Sequence, residues 1–365
     1  MNYNQKDIEY MHMALDLARR GGTHCSPNPM VGCVIVKDER IIAQGYHEKY
    51  GAPHAEANAV KNAGESIEGA SVYVTLEPCS HFGKTPPCAN LLAKHKPKEV
   101  VIGMGDPNPK VNGRGIEILK SAGITVKMPL LEAECRYLNR GFLSRVERGR
   151  PWVTLKSAVT LDGCVATKNG ESKWITGEAS RLEVQRMRAQ NDALLTGCGT
   201  VLADNPLLTV RDVSGETPVR VVLDTTLKTP LDAKIFDAPE KLMFFTDIAT
   251  DKTKIKAYEA HGAKVFQTAF NCDKQISNIL TILAENGINY LMVEAGPRLT
   301  SSMLKAGVVD EIVLFVAPKL VGNGLHFTQE LCISSLCDAI KLDKLTVQNV
   351  GDDLMLKGLV KCSQD

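Results

Sequence analysis

The stretch that decides the fold of the front half is His54-Ala55-Glu56, followed by Pro78-Cys79 and, after a proline-rich loop, by Cys88. One imidazole and two thiolates form a three-ligand tetrahedral zinc set whose fourth position stays open for water, which is typical of catalytic zinc sites. Zinc lowers the pKa of that water to near neutral. Glu56, two residues after the histidine, is placed to carry protons without binding the metal. The pattern therefore predicts one hydrolytic zinc site per chain.

The same order of residues is the signature of zinc deaminases, in which the glutamate acts as general acid and base. This sequence differs from the signature because a longer loop, closed by Pro86-Pro87, separates the two cysteines. Such a loop is stiff and can still return a thiolate to the metal. The alternative is that His54 is a core histidine and the cysteines are buried small side chains. That alternative requires all four residues to fall into this order by chance.

Composition limits the class of protein. A chain of 365 residues suits two domains, and 44% hydrophobic with 23% charged residues is typical of a soluble globular protein. The formal net charge of +1 shows no excess of basic residues that would bind a polyanion. We therefore expect small-molecule substrates and no nucleic acid. The first residues lack the apolar core of a signal peptide, and no apolar run is as long as a membrane span. With eleven scattered cysteines, we expect a cytoplasmic protein without a membrane partner.

Apolar periodicity in the front half alternates between the helical and the strand pattern. Asp7 is expected to cap the first helix. The expected strands and later helices are strands at 31–36, 41–45, 72–76, 100–104 and 124–126, and helices at 54–63, from 88 and at 132–146. This layout predicts an α/β/α sandwich on a mixed sheet. His54 and Cys88 would begin helices, where the helix dipole favours thiolates.

Four further polar residues are candidates near the metal. Asn28 lies between Pro27 and Pro29 and can aim its amide at a planar heterocycle, although a plain Asx turn is equally compatible. The others are His47, His81 and Lys84. Lys84 lies on the loop between the two cysteines, where it could meet a substrate phosphate. From the residues alone, a solvated lysine is the simpler interpretation.

The pattern breaks at residues 147–151, which places the domain boundary between residues 1–147 and 148–365. Strands are expected at 152–158, 193–196, 219–223, 242–245, 290–293 and 312–316, with a helix at 178–188. No G-x-G-x-x-G fingerprint follows any of these strands. Gly296 to Ser302 opens a helix directly after a strand, which suits a phosphate or pyrophosphate, although an ordinary strand–helix turn is about equally compatible. The spacing predicts an α/β nucleotide-binding domain and no particular reaction.

Several stretches resemble the bifunctional deaminase/reductase family of riboflavin biosynthesis, over nearly the whole chain. They are Pro27-Asn28-Pro29, Pro53-His54-Ala55-Glu56, Thr75-Leu76-Glu77-Pro78-Cys79-Ser80-His81, Thr85-Pro86-Pro87-Cys88, Asp106-Pro107-Asn108-Pro109, Gly170-Glu171-Ser172-Lys173-Trp174-Ile175-Thr176, Thr200-Val201-Leu202-Ala203-Asp204-Asn205-Pro206-Leu207-Leu208-Thr209-Val210-Arg211 and Val293-Glu294-Ala295-Gly296-Pro297. The long cysteine spacing is this family's own form. The resemblance implies a cytidine-deaminase-like domain followed by a dihydrofolate-reductase-like domain.

The resemblance also implies the first reaction. A diaminohydroxy-phosphoribosylaminopyrimidine would lose its amino group by zinc-dependent hydrolysis, with Glu56 moving protons from water to the ring and to departing ammonia. Asn28 and His47 would orient the pyrimidine, and His81 belongs to the same substrate set. Lys84 would meet the ribose phosphate, which favours it over the solvated-lysine interpretation.

In the second reaction, the resemblance implies that NADPH converts the ribosyl group to ribityl. The implied cofactor residues are Ala158, Trp174, Thr200, Asp204, Thr225, Gly296, Pro297, Arg298, Leu299, Thr300, Ser301 and Ser302. The implied substrate residues are Ser172, Arg188, Leu208, Arg211 and Glu294, in which two arginines suit a terminal phosphate. Lys156 and Asp204 are our candidates for polarising or protonating the sugar. The family also implies a homo-oligomer, a dimer or a tetramer.

Two rival interpretations belong to other functional classes. The first is a purine or tRNA deaminase whose second half only binds or dimerises, which would leave NADPH unconsumed. The second is a zinc-stabilised binding module without catalysis, which requires four protein ligands on the metal, whereas the sequence offers three and a glutamate.

Overall fold

A computed structural model of the chain describes residues 3–80, 86–108, 112–270 and 274–361. The chain divides into two compact units, one up to Gly149 and the other from Arg150. Within the described ranges, every helix is too short or too polar to cross a membrane.

The front unit contains six helices and five strands among its described residues. They are α1 Gln5–Arg19, β1 Gly32–Lys37, β2 Arg40–Tyr46, α2 Ala55–Asn62, β3 Ser71–Leu76, α3 Cys88–His95, β4 Glu99–Met104, α4 Arg114–Ser121, β5 Thr125–Lys127, α5 Glu132–Leu138 and α6 Arg140–Arg148. The strands form one mixed sheet in the order β2-β1-β3-β4-β5. β1 runs antiparallel to β2 and to β3, whereas β3, β4 and β5 are parallel.

Apolar layers cover both faces of this sheet. Met11 and Leu15 of α1 and Phe142 of α6 pack on one face. Ala59 of α2 and Leu92 of α3 pack on the other face. The α/β/α sandwich predicted from the sequence is therefore confirmed.

Two local predictions for the front unit are wrong. Asn4, not Asp7, caps α1: the Asn4 side chain accepts from the Asp7 amide, and the Asp7 carboxylate accepts from the Asn4 amide, both at 2.9 Å. The expected helix at 132–146 is two helices that meet at the fully buried Asn139. Its side chain accepts from the Met30 amide at 2.8 Å and donates to the Met30 carbonyl at 2.9 Å, so it serves a neighbouring loop.

The second unit alternates strands and helices and ends in a hairpin. Its elements are β6 Trp152–Thr160, β7 Cys164–Ala166, α7 Glu178–Ala189, β8 Ala193–Gly197, α8 Cys198–Asp204, β9 Val219–Leu223, β10 Leu242–Asp247, α9 Lys252–Ala260, β11 Lys264–Thr268, α10 Gln275–Glu285, β12 Tyr290–Glu294, α11 Pro297–Lys305, β13 Glu311–Ala317, β14 Leu325–His326, β15 Leu342–Val350 and β16 Asp353–Val360.

Nine of these strands form one sheet, in the order β11-β10-β9-β8-β12-β6-β13-β16-β15. The seven strands from β11 to β13 are parallel, and the hairpin β15–β16 adds two antiparallel strands at one edge. Leu280 of α10 and Met303 of α11 pack on one face, and Val184 of α7 and Tyr258 of α9 pack on the other. The predicted α/β arrangement is confirmed, and the carboxyl ends of the parallel strands share one edge.

The buried Asn139 gives a test of the front unit's packing. We expect Asn139→Ala to lower the free energy of unfolding of this unit by about 2–3 kcal/mol, since it leaves the Met30 amide and carbonyl without their partners. Asn62→Ala is the matched control, because Asn62 makes an exposed bond to the Gln44 carbonyl. Urea unfolding followed by circular dichroism measures both, and equal losses would contradict the role assigned to Asn139.

Candidate active sites

The three predicted metal ligands come from the ends of three elements of the front unit. His54 is the N-cap of α2, and Cys88 is the first residue of α3. Cys79 follows the carboxyl end of β3, and its carbonyl accepts from the Ala89 amide at 3.1 Å. The helix dipoles at the starts of α2 and α3 stabilise negative charge, as a thiolate set requires.

The distances between these ligand atoms fit zinc. His54 Nδ1 lies 3.5 Å from Cys79 Sγ and 3.5 Å from Cys88 Sγ, and all three atoms lie within 4.8 Å of one another. Zinc bonds of about 2.3 Å to sulfur and 2.0–2.1 Å to nitrogen, at a tetrahedral angle, place such atoms about 3.5–3.6 Å apart. The geometry of the donor set therefore fits a zinc ion.

The two thiols interact with each other. The Cys88 thiol, the His54 ring and the Cys88 amide lower the pKa of the Cys79 thiol to about 4, although burial opposes this shift. Cys79 Sγ accepts from that amide at 3.3 Å. The pKa of Cys88 is raised by its bond to Cys79 and by burial. The contact between the two thiols thus favours ionisation of Cys79, and a bound metal would displace the protons of its ligands.

Glu56 lies in the first turn of α2 and is 3% exposed. Burial raises the pKa of its carboxyl to about 7, and the Cys79 charge adds to the shift. Helix α2 packs closely against β2 at Gly45. A Cβ at this glycine would collide with the main chain of Ala55 and Ala59. A carboxyl with a pKa near neutral can both accept and donate protons.

Asn28 and His47 contact each other beside this site. The buried His47 faces the Pro53 carbonyl through Nδ1 at 3.1 Å and the Asn28 amide nitrogen through Nε2 at 3.3 Å. Because burial lowers the pKa of His47, its neutral ring donates to the carbonyl and accepts from Asn28. The Asn28 amide oxygen is then presented as an acceptor, and the His47 and His54 ring centroids lie 5.3 Å apart. His81 and Lys84 lie outside the described residues.

Sequence reasoning gave no role to Glu77, although it directly precedes Pro78-Cys79. Its buried carboxylate accepts from the amides of Gly113 at 3.1 Å and Gly115 at 3.0 Å, at the start of α4. It also accepts from the amides of Ile116 and Asp106. Glu77 therefore ties the segment that carries Cys79 to α4. A carboxylate at the end of a buried strand is the sequence signal that could have identified it.

In the second unit, three polar side chains lie in a row on one sheet face. Glu294 ends β12 and is in register with Lys156 on β6. Leu195 is paired with Val293, so the next residue of β8, Thr196, flanks Glu294 on the other side. The Thr196 hydroxyl is buried and has no hydrogen-bond partner among the described residues. The sequence did not point to Thr196.

Arg188 of α7 closes this cluster over the row. Its Nε and one terminal nitrogen donate to the two Glu294 oxygens at 2.7 and 3.1 Å, and the other terminal nitrogen donates to the Thr209 carbonyl at 3.1 Å. Lys156 Nζ lies 3.8 Å from the Glu294 carboxylate. The structure thus brings together Lys156, Arg188 and Glu294, which the sequence predicted separately.

The charges of this cluster shape its titration. Burial raises the pKa of Glu294, but Arg188 and Lys156 outweigh burial and lower it to about 2. Burial lowers the pKa of Lys156, assisted by Arg188 and opposed by Glu294. The cluster thus sets two basic groups, Lys156 and Arg188, against one carboxylate.

Most predicted cofactor residues follow the carboxyl ends of parallel strands. Ala158 lies on β6, Thr200 on α8 directly after β8, and Thr225 just after β9. The segment from Gly296 to Ser302 caps and opens α11 after β12. Its seven predicted members differ in exposure: the side chains of Thr300 and Ser301 are buried, whereas Arg298 is exposed and pairs with Glu330.

The remaining predicted residues lie on two connecting segments. Asp204 ends α8 and pairs with Lys173 at 3.1 Å, next to the exposed Trp174. Ser172 precedes this pair and is half-buried. Leu208 is buried, and the Arg211 amide donates to the Gln185 side chain of α7 at 3.0 Å, which keeps this segment against α7.

Two family models match the chain. The RibD C-terminal domain matches residues 151–356, and the cytidine and deoxycytidylate deaminase zinc-binding region matches residues 4–104. The riboflavin biosynthesis protein RibD of Aquifex aeolicus is 45% identical over 351 residues, covering 96% of this chain and 97% of that protein. The Escherichia coli protein of the same name is 39% identical over 368 residues, covering 96% and 98%.

Solved structures agree with these matches. Acinetobacter baumannii RibD superposes with a TM-score of 0.90 at 39% identity, covering 98% of this chain and 99% of that one. The diaminohydroxyphosphoribosylaminopyrimidine deaminase/5-amino-6-(5-phosphoribosylamino)uracil reductase of Thermotoga maritima superposes with a TM-score of 0.87 at 36% identity, covering 97% and 99%. The resemblance seen in the sequence is confirmed: this chain belongs to the RibD family of riboflavin biosynthesis proteins.

Proposed function

We propose that the chain is a bifunctional enzyme of riboflavin biosynthesis with both activities of its family. Residues 1–147 deaminate a diaminohydroxyphosphoribosylaminopyrimidine by hydrolysis, and residues 148–365 reduce the ribosyl group of the resulting aminouracil to ribityl with NADPH. The name of the Thermotoga maritima relative states both activities. The observation that carries the proposal is the zinc-compatible donor set of His54, Cys79 and Cys88 with Glu56 buried beside it.

In the deaminase site, His54, Cys79 and Cys88 would hold one zinc ion per chain, and the ion would supply a water with a pKa near neutral. Glu56 would carry two protons in turn, the first from that water to the ring nitrogen and the second from the added hydroxyl to the departing ammonia. Asn28 presents its amide oxygen to the pyrimidine and is held by the neutral His47. His81 and Lys84 complete the proposed substrate set, with Lys84 on the ribose phosphate.

The deaminase half can be tested without disturbing the other half. We expect Glu56→Gln to lower deamination by about 10²–10⁴-fold, the range of general acid–base catalysis, since an amide cannot carry the proton. Zinc content should stay at one per chain, and reduction of the deaminated intermediate should be unchanged. Ammonia release, metal analysis and NADPH absorbance measure these. Glu68→Gln, on an exposed glutamate, is the control; undiminished ammonia release in Glu56→Gln would remove Glu56 from the mechanism.

In the reductase site, bound NADPH would be the source of the hydride for C1 of the opened phosphoribosyl group. Lys156 is proposed to polarise or protonate the sugar, since it is buried and burial lowers its pKa. Asp204 is the second candidate for this step. The phosphate of the substrate is proposed to meet Arg188 and Arg211, because guanidinium groups bind phosphate in a bidentate way.

The proposed ligand residues divide between the two molecules. Ala158, Trp174, Thr200, Asp204, Thr225 and the segment from Gly296 to Ser302 would contact the cofactor, and Ser172, Arg188, Leu208, Arg211 and Glu294 the substrate. Since Thr300 and Ser301 point into the core, the start of α11 would bind through the amides of Arg298 and Leu299. Pro297 has no amide hydrogen, but at the first helical position such a hydrogen has no partner within the helix. Its fixed φ angle suits the first helical turn.

The reductase half is tested by Lys156→Met. We expect NADPH oxidation with the deaminated intermediate to fall by about 10²-fold or more, because a methionine side chain can neither donate a proton nor polarise the sugar, while ammonia release stays unchanged. Lys252→Met, on the exposed start of α9, is the control. Wild-type NADPH turnover in the variant would remove Lys156 from the mechanism. If the unaltered chain does not oxidise NADPH, the rival deaminase with a non-catalytic second half gains support.

We propose that the chain forms a homo-oligomer, a dimer or a tetramer, through strand β15. This strand ends the nine-stranded sheet and is exposed along almost its whole length, with Leu345 55% and Val347 57% exposed. A long apolar edge strand pairs readily with another chain.

Light scattering after size exclusion tests this assembly. We expect an oligomeric wild type, and a Leu345→Glu/Val347→Glu double variant of lower mass, because two carboxylates would be desolvated in the interface. Ile248→Glu, at another exposed apolar residue away from this edge, should keep the wild-type mass. A monomeric wild type would contradict the proposal.

The cytoplasmic location expected from the cysteine usage also stays a proposal. In its support, nine cysteines of the described residues are free thiols.

A further inference from the structure

The segment at residues 172–176 carries Ser172 and Trp174, which the proposed function places on substrate and cofactor. It connects β7 to α7 and has no helix or strand of its own. It contains a turn at Lys173 and Trp174, and no main-chain hydrogen bond in the described part of the chain ties residues 172–176 to another element. Side chains therefore determine where this segment lies.

Three cations hold it. The Arg181 guanidinium of α7 lies 4.7 Å from the Trp174 ring centroid and donates to the Thr176 carbonyl at 3.0 Å. Lys173 pairs with Asp204 of α8 at 3.1 Å. Lys319 Nζ donates to the Trp174 carbonyl at 2.9 Å. The first two contacts tie the segment to helices, and Lys319 ties it to the chain that leaves β13.

Hydrogen bonds hold the main chain around Lys319 in place. Its amide donates to the Ala317 carbonyl at 2.8 Å, and its carbonyl accepts from the Leu161 amide at 2.9 Å. The Asp162 carboxylate then accepts from the amides of Val321 at 3.1 Å and Gly322 at 2.6 Å. The Thr160 hydroxyl and these amides lower the pKa of Asp162 to about 2, so the contact persists over the working pH range. These hydrogen bonds thus connect the carboxyl ends of β6 and β13.

We propose that Lys319 is a positioning residue of the reductase site, which holds the Ser172–Trp174 segment over the carboxyl end of β6, where Ala158 lies. This inference rests on the proposed function of the second unit. An ordered segment loses less conformational entropy when ligands bind, so Lys319 acts by lowering the cost of binding rather than by touching the reacting atoms. No residue of the zinc site takes part.

The experiment compares the full chain with Lys319→Met, Lys319→Arg and Lys264→Met, the last at an exposed lysine on the opposite edge strand β11. In Lys319→Met we expect faster amide hydrogen exchange at residues 170–177 and Kd for NADPH, by calorimetry, raised by about 3- to 10-fold, the contribution of one hydrogen bond. KM for both reductase substrates should rise equally, with kcat changed less than twofold. Lys319→Arg should restore most of the affinity, since a guanidinium also reaches the carbonyl. Lys264→Met and ammonia release should not change.

Two outcomes overturn the inference: unchanged exchange and NADPH affinity in Lys319→Met, or a loss of kcat and thermal stability that Lys319→Arg does not restore. The second outcome would identify a general structural role. Failure of the proposed function looks different, because the wild-type chain itself would then bind no NADPH in calorimetry.

Discussion

The removal of carboxylates from water constrains both units, and three buried glutamates meet this constraint in three ways. Glu77 is surrounded by main-chain amides, so its charge is spread over fixed dipoles and it serves as an anchor. Glu294 is paired with Arg188 and Lys156 and stays ionised down to a pKa of about 2. Glu56 has too few amide or cationic partners to offset burial, which raises the pKa of its carboxyl to about 7. The same side chain is an anchor, a fixed charge or a proton carrier according to its surroundings.

Strand ends determine where these charges gather. In the front unit, Cys79 and Glu77 follow the end of β3, and His54 and Cys88 begin the helices that pack beside it. In the second unit, Glu294 ends β12, and Lys156 is in register with it on β6. Parallel strands place their carboxyl ends at one edge, where loops and helix starts supply amides and variable side chains. Each sheet therefore supplies a rigid edge, and chemistry depends on the residues that follow it.

The clustering of His54, Cys79 and Cys88 could be predicted from the sequence because the spacing of these residues is distinctive. The helix starts at His54 and Cys88 are visible from the residues themselves, and the structure brings the ligand atoms to distances that fit a zinc ion. Motif resemblance, not periodicity, supplied Arg188 and Glu294, and their bidentate contact could not be predicted since 106 residues separate them. The end of the predicted helix at Asn139 was missed because its cause is the distant Met30 loop.

In the second unit, neither edge strand of the large sheet was predicted from the sequence. β15 is exposed almost throughout, so the alternation at residues 345–348 does not mark a buried face, and β11 lies at the opposite edge with only Thr268 buried. Apolar periodicity indicates which residues face a core. It is therefore a poor guide to an edge strand that no apolar layer covers. The predicted strands β6, β8, β9, β10, β12 and β13 all lie inside the sheet, where apolar layers cover both faces.

The reductase cluster keeps two features that a purely structural core would avoid. Lys156 and Arg188 are two basic groups that face a single carboxylate, in a site where each of these side chains is at least 86% buried. Next to Glu294, Thr196 adds a buried hydroxyl that has no hydrogen-bond partner among the described residues, at a cost of about 1–3 kcal/mol for an unsatisfied group. Stable cores pair such groups, whereas binding sites leave them to the ligand. Because basic groups outnumber carboxylates in this cluster, its composition favours a phosphorylated sugar over a neutral one.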